Sequence, residues 1–561
     1  MFSFKIIKAH FARNASFRIC SAFLHTLLGT KRKLRYNSFM KTFSKENYGF
    51  LFSAIFLASF FSCAKNQEQK IVRPTQGVYY CIFVRSFADS NGDGIGDLNG
   101  IVSKLDYLEN LGISGIWLMP IFPSHSYHGY DVDDYYNVNE EYGTISDLQN
   151  LCAKCAERGI AVILDLPLNH SSSNNEWFLQ SIDENNPKHS WYRWANPQKN
   201  PDINFNATIW QHKVWNKRGE NFYSGLYFDG MPDFNHDNFE VRDEFKNVIK
   251  FWLEKGVSGF RFDAAGHIYN SAKLPSSVKD GQERALNFWN EICSYAKSVK
   301  SDVFMVGEVW ESNGIRAEYM RSIPSTFHFD LGTKIINAIK NSDGSNNAIA
   351  AGLFNDYELY AQKNPDFIDA PFLTNHDQNR SPLQFKNDER CVKLAAAMYL
   401  FLPGIPFVYY GEEIAMNGAK PDEQIRTPFI WSSKSLEKMQ TNWIESKYNA
   451  KTKGATEQLN DKNSVLNFYK DAIHFRNSNE VFSRGKFLPY ETKNSKITSW
   501  TLEQGEKKVF AFFNLADETQ KIARPEQSEN FKLIFSSDPR DAKISENEIS
   551  LPPKSAVIFG N

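Results

Sequence analysis

Four short strings concentrate side chains that could do chemistry together. They are DLPLNH (165–170) with Asp165, Asn169 and His170, GFRFDAAGH (259–267) with Arg261 and Asp263, GEVW (307–310) with Glu308, and TNHD (374–377) with His376 and Asp377. Asp263, Glu308 and Asp377 are the set that retaining glycoside hydrolysis requires. One carboxylate serves as nucleophile, one carboxylic acid as proton donor, and further polar groups hold a distorted sugar. Arg261 and Asp263 are two apart, so on a strand they point to one face. The arginine is then expected to keep Asp263 ionised for attack on an anomeric carbon. Glu308 sits among Val306, Val309 and Trp310, an apolar setting expected to raise its pKa and keep it protonated as the acid. Asp165 reads as a buried, hydrogen-bonded support.

Each string ends an apolar run, and the runs alternate with amphipathic stretches. Eight are predicted as strands: 78–87, 112–121, 161–170, 256–265, 303–310, 325–332, 370–377 and 404–413. Strands alternating with helices predict a parallel (β/α)8 barrel over 77–483, a TIM barrel of the α/β class. Functional side chains gather at the carboxyl ends of such strands, where the four strings fall. Residues 171–237, rich in Asn, Trp and Pro, are too long for an ordinary loop and are predicted as a small inserted domain after strand 3, whose Trp and Tyr side chains include candidate sugar-stacking platforms beside core residues. From 484 to 561 alternating strands and turn residues predict a C-terminal antiparallel β-sandwich.

A second site follows the first strand, in DSNGDGIGDLNG (89–100). Asp89, Asn91 and Asp93 alternate as in an EF-hand loop, Gly94 allows the turn, and the Ile95 carbonyl and Asp97 add oxygens. The twelfth position is Gly100 rather than Glu, so no EF-hand helix pair is implied. Hard oxygen donors at this density favour Ca2+ over zinc.

With these strings in order along 77–561, together with HGYD (128–131) and MPDFN (231–235), the chain resembles the α-amylase family, glycoside hydrolase family 13. The resemblance implies that Asp263 is the nucleophile, Glu308 the acid/base and Asp377 the carboxylate that stabilises the transition state. It implies sugar contacts from Tyr130, which stacks at the cleavage site with Asp131 behind it, and from His170, Arg261 and His376. It further implies calcium in the 89–97 loop. The family's other calcium, between barrel and insert, would involve Asn169 and Asp233. MPDFN resembles the variant of an intermediate subfamily. Gly266 departs from the Lys that many α-amylases carry there, on the leaving-group side of the sugar. Exo-acting α-glucosidases of the family carry an acid three residues before the stacking tyrosine, paired with an arginine in an RTPMQW-like segment. Here RTPFIW keeps Arg426, but the partner position is Tyr127. The implied activity is endo-type hydrolysis of α-1,4-glucans such as starch, glycogen and maltooligosaccharides. The alternatives are an α-glucosidase, cyclomaltodextrinase or glucanotransferase on the same scaffold, or a non-catalytic glucan-binding lipoprotein.

Composition bounds the other possibilities. The 561 residues are 42% hydrophobic and 23% charged, a globular balance. Residues 1–63 carry ten Lys/Arg and one acid, and the net charge of −1 therefore leaves −10 for the remainder. That argues against a nucleic-acid-binding surface. From Met40, Lys41 and Lys45 precede an apolar run from Phe50 to Phe61, then Ser62 and Cys63. This pattern resembles a bacterial lipoprotein signal, in which Cys63 becomes the lipidated first residue and 64–76 a linker. Translation is expected to start at Met40, and the product to be an extracytoplasmic, membrane-anchored monomer. Five cysteines follow Cys63, an odd and sparse set that does not predict a disulfide framework. Cys152 and Cys155 fall inside a helical pattern and are read as packing residues.

Overall fold

Eight short parallel strands form the centre of the molecule: β1 Tyr79–Ile82, β2 Gly115–Leu118, β3 Ala161–Pro167, β4 Gly259–Asp263, β5 Phe304–Gly307, β6 Ser325–Phe327, β7 Ile368–Ala370 and β8 Phe407–Tyr409. The computed structural model describes residues 71–561, apart from 435–437 and 539–541. The expected signal segment with Cys63, and most of the expected linker, lie outside the described residues. Strands β1 to β7 pair in sequence order, and β8 pairs with β1. A parallel bridge from Phe372 to Phe407 closes the ring, helped by the Phe407 amide donating to the Pro371 carbonyl at 2.9 Å. Every residue of β3 and β4 is buried, as expected of strands covered on both faces.

The strands are shorter than the apolar runs that encode them. The first run turns at Phe83 into a helical turn, Val84–Phe87. The sixth stops at Phe327 because a 3.6-residue apolar pattern takes over in the helix Phe329–Asn341. The seventh is shifted to Ile368–Ala370, since Pro371 has no N–H to continue the ladder. His376 and Asp377 therefore lie in the loop beyond the strand, not on it.

The crossover helices read as the sequence implies. Ile145–Glu157 opens with a capping box in which Thr144 and Asp147 satisfy each other's amides. Its buried face carries Leu148, Leu151, Cys152 and Cys155. Both cysteines are free thiols in the core.

After β3 the inserted segment holds a short helix (Glu176–Ser181), a three-stranded antiparallel sheet (Trp194–Ala195, Trp215–Arg218, Asn221–Ser224) and a hairpin (Thr208–Ile209, His212–Lys213). Its small core is built on Val214, Trp215 and Leu226. The C-terminal region forms a five-stranded and a three-stranded antiparallel sheet. Ile497, Phe510, Phe512, Ile522, Ile549, Leu551, Val557 and Phe559 form a buried cluster shared by the two. Among the described residues, no helix is long and apolar enough to cross a membrane.

Candidate active site

Strand register sets the centre of the site. Asp165 on β3 lies opposite Arg261 on β4, and Phe262 lies opposite Gly307 on β5. The Arg261 guanidinium, 1% exposed, holds three carboxylates at once. Its Nη1 donates to Asp165 at 2.8 Å and to Asp263 at 2.7 Å, and its Nη2 reaches Glu308 at 2.8 Å. Ala264, just past Asp263, has φ +50°, an uncommon left-handed conformation for a non-glycine residue. That turn aims its N–H at Glu308 Oε2, 2.8 Å away.

One guanidinium cannot neutralise three buried carboxylates, and their proton affinities reflect this. Burial raises Asp263 to about 6, against the lowering effect of Arg261. The arginine's lowering effect opposes burial without outweighing it, and the group is still ionised at neutral pH. Burial likewise raises Glu308 to about 8, with Asp263 and Asp377 adding to the rise and Arg261 opposing it. Trp310 is 47% exposed and stacks on Phe329 at 4.6 Å. Burial also raises Asp165 to about 6.

Asp377 behaves differently. Burial pushes its carboxyl up, but His376 and Arg426 outweigh burial and hold it below the usual range. Arg426 Nη2 lies 2.9 Å from Asp377 and 3.2 Å from Asp422. Its Nη1 donates to the Tyr127 hydroxyl at 3.3 Å, so Tyr127 meets Arg426 through a hydrogen bond rather than an ion pair.

The Tyr130 hydroxyl donates to Asp165 at 3.0 Å and lies 2.7 Å from His376 Nε2. Their rings stack at 5.6 Å, and Tyr130 lines the cavity floor. His170 Nδ1 lies 3.1 Å from the Asn169 amide nitrogen, which can only donate, so Nε2 carries the hydrogen. That Nε2 is buried without a hydrogen-bond partner. Burial lowers His170 to about 4 and His376 to about 3, so both rings are neutral donors near pH 7.

All the expected catalytic and sugar-contact residues except Arg261, which lies beneath the floor, line one cavity of about 910 Å³. Trp210, Tyr227, His267, Lys420 and Asp422 join them there. Trp210 and Tyr227 come from the aromatic-rich insert, and Asp422 left a signal in its i, i+4 spacing to Arg426.

The 89–97 loop closes on its own carboxylates. Asp89 accepts from the amides of Asn91, Gly92 and Gly94, and Asp93 accepts from Ile95. Asp97 caps a helix at Gly100 and accepts from Ser90. Among the described residues no three acidic, histidine or cysteine side chains converge into a metal-holding group. A cation in this turn would therefore draw on Asn91 Oδ1 and the Ile95 carbonyl as well as the carboxylates. That all-oxygen donor set fits calcium.

The Asn169/Asp233 position is already filled. Lys273, 1% exposed, donates to Asn169 Oδ1 at 2.7 Å and lies 3.3 Å from Asp233. Its ammonium stands where the resemblance implied a second calcium, and a divalent cation would meet a fixed positive charge. Nothing in its local sequence distinguishes this buried lysine from an exposed one.

The closed parallel ring with paired carboxylates at its rim defines a barrel glycosidase. The alpha-amylase catalytic-domain model matches residues 81–485, and the chain belongs to the alpha-amylase family. It is 42% identical over 490 residues to Alpha-amylase 3 of Dictyoglomus thermophilum, covering 86% of this chain and 92% of that protein. A 4-alpha-glucanotransferase of Thermotoga maritima is 32% identical over 446 residues, covering 78% and 96%. Among solved structures, an alpha-amylase from H. orenii superposes with TM-score 0.80 at 37% identity, covering 87% of this chain and 99% of that one.

Proposed function

We propose that the protein is a retaining α-amylase that cleaves α-1,4-linked glucans. The observation carrying this reading is that Asp263 and Glu308 hang on two nitrogens of one guanidinium. That arrangement favours the close carboxyl spacing of about 5–5.5 Å used by retaining rather than inverting glycosidases. Asp263 attacks the anomeric carbon as Glu308 protonates the departing glycosidic oxygen, forming a glycosyl ester. Glu308, now ionised, takes a proton from water, and the water releases the sugar with its original configuration. Ionised Asp377 and the neutral His170 and His376 hold sugar hydroxyls, and Tyr130 stacks on the ring. The similarity to an enzyme named alpha-amylase supports the hydrolytic reading.

Endo-type cutting is part of this proposal. Arg426 pairs with Asp377 and Asp422, and at the position where exo-acting relatives would set an acid against it stands Tyr127, a hydrogen-bond partner without charge, which supports a slot left open behind the sugar. Timed chromatography of amylose digests should show maltose and short maltooligosaccharides early. Glucose as the sole early product, released from chain ends, would defeat the reading.

Calcium in the 89–97 loop is likewise proposed, from its donor chemistry. Binding only the folded state, it would stabilise by about 2.7 kcal/mol at a hundredfold excess over Kd. Chelator should lower the Tm of protein shown to have contained the metal, and an unmoved Tm would sink the idea. The lipoprotein location rests on residues 40–63, and N-terminal mass spectrometry tests it by finding, or failing to find, an acylated Cys63.

A further inference from the structure

Arg426 uses all three nitrogens of its guanidinium. Its Nη2 meets Asp377 and Asp422, its Nη1 donates to the Tyr127 hydroxyl, and its Nε donates to the His376 carbonyl at 2.9 Å. A charged fork fixes a carboxylate only as firmly as the fork itself is held, because its long stem is free to turn. What holds Arg426 is therefore part of what aims Asp377.

The hold comes from a segment outside the cleft, residues 439–443. Trp443, half-buried, reaches both ends of Arg426. Its indole stacks on the Tyr127 ring at 5.5 Å and 24°, fixing the phenol that meets the guanidinium head. Its Nε1 donates to Ser86 Oγ at 2.7 Å, and Ser86 Oγ donates to the Arg426 carbonyl at 2.5 Å, fixing the backbone end. Ser86 is fully buried, and its own carbonyl accepts from the Phe429 amide at 2.7 Å and from Thr441 Oγ1 at 3.1 Å. One serine thus joins the stretch carrying Arg426 to the stretch carrying Trp443. Gln440 adds a second tie, donating to the Phe429 carbonyl at 2.7 Å. The same segment rests on the 89–97 loop, where the Asn442 amide donates to the Gly94 carbonyl at 2.9 Å and the Asp89 amide to the Met439 carbonyl at 3.0 Å. Neither Trp443 nor Tyr127 lines the cavity that holds the carboxylates, so neither meets the sugar there.

We propose that Trp443 is a positioning residue for Asp377, acting through Tyr127, Ser86 and Arg426. This rests on the glucanase reading above, in which Asp377 holds the sugar in the transition state. A displacement on the order of 1 Å at such a group costs about a hundredfold in rate, even when its source is remote.

The test is a double-mutant cycle with Arg426→Ala, read on maltopentaose and on α-maltosyl fluoride, whose fluoride needs no proton from Glu308. Both substrates set a glucose against Asp377. Trp443→Ala should lower kcat about tenfold or more on both, with KM within about threefold of wild type. In the Arg426→Ala background the same change should cost less than about twofold, because the route to Asp377 is already cut. Trp443→Phe keeps the ring on Tyr127 and loses the bond to Ser86. It should recover to within about threefold of wild type, and that residual loss should also vanish beside Arg426→Ala. If Trp443→Ala does not fold, the Trp443→Phe cycle decides alone. A kcat for both Trp443 variants equal to wild type would overturn the proposal. So would losses that multiply with Arg426→Ala, which would mean the indole only supports the fold. A wild-type enzyme inactive on maltopentaose would instead defeat the glucanase reading on which this rests.

Discussion

Two buried cations at the top of this barrel do opposite things. Arg261 faces three carboxylates, Asp165, Asp263 and Glu308. Lys273 faces one carboxylate, Asp233, and one amide oxygen, from Asn169. Around the arginine, negative charge exceeds positive, and burial raises every carboxylate's pKa to an extent set by its neighbours. Around the lysine the charges match. Burial draws the ammonium down to about 8, still protonated near neutral pH, and it ties the insert to the end of β3. Unmatched buried charge makes a site that trades protons, whereas matched charge makes a fastener.

Removing charge from each cluster should therefore have opposite consequences. Asp263→Asn is expected to abolish turnover, by about 10⁴-fold or more, because an amide cannot form the glycosyl ester. It should not destabilise the fold. The folded pKa of Asp263, about 6, lies above the ordinary aspartate value of 3.8, so ionisation costs the folded state stability as pH rises through that window. At pH 7 the neutral amide escapes that cost, and the Tm should equal or exceed that of wild type. Near-wild-type starch hydrolysis would remove Asp263 from the chemistry. A large drop in Tm would contradict the charge argument.

Lys273→Met should do the reverse. It leaves Asp233 buried and unpaired, at a cost of about 3–5 kcal/mol, and loosens the Asn169 amide that orients His170. Adding Asp233→Asn should return most of the lost Tm, since the charge left behind is then gone. A single variant as stable as wild type would show that the lysine fastens nothing.

The sequence exposed the clusters unevenly. Arg261, Asp263 and Glu308 were legible because barrel strands deliver side chains to one rim and their strings sit at strand ends, whereas His376 and Asp377 were legible from the TNHD string although they lie in the loop beyond β7. Strand lengths were not legible, since an apolar run looks alike whether it continues as β or turns into a buried helix. The run ending at Phe327 and the helix from Phe329 illustrate this. Lys273 stayed hidden for a different reason, and Trp210 and Tyr227 were visible only as members of an aromatic-rich insert, not one by one. Their roles come from loop and hairpin tertiary contacts with no period or motif, and a lone Lys or Trp reads as surface or core by default. The raised pKa of Asp263 was not legible, because spacing revealed Arg261 but not that three carboxylates share it.

A smaller effect tests the leaving-group side. A Cβ at Gly266 would meet nothing closer than 3.7 Å. Gly266→Lys is thus expected to change stability by no more than about 0.5 kcal/mol and the maltopentaose kcat/KM by a few-fold at most. Failure to fold would show that the space beside Val309 and Glu311 is not open.

The charge imbalance around Arg261 is tested most directly by the pH dependence of kcat/KM on maltopentaose in the wild-type enzyme. The nucleophile must be ionised, so activity should fall below about pH 6, and the acid must be protonated, so it should fall again above about pH 8. The two limbs belong to the coupled cluster, and Glu308→Gln assayed on α-maltosyl fluoride should lose the basic limb. A bell with limbs near those values is the predicted result. A rate that stayed level from pH 5 to 9, or a basic limb that persisted in Glu308→Gln, would contradict the account.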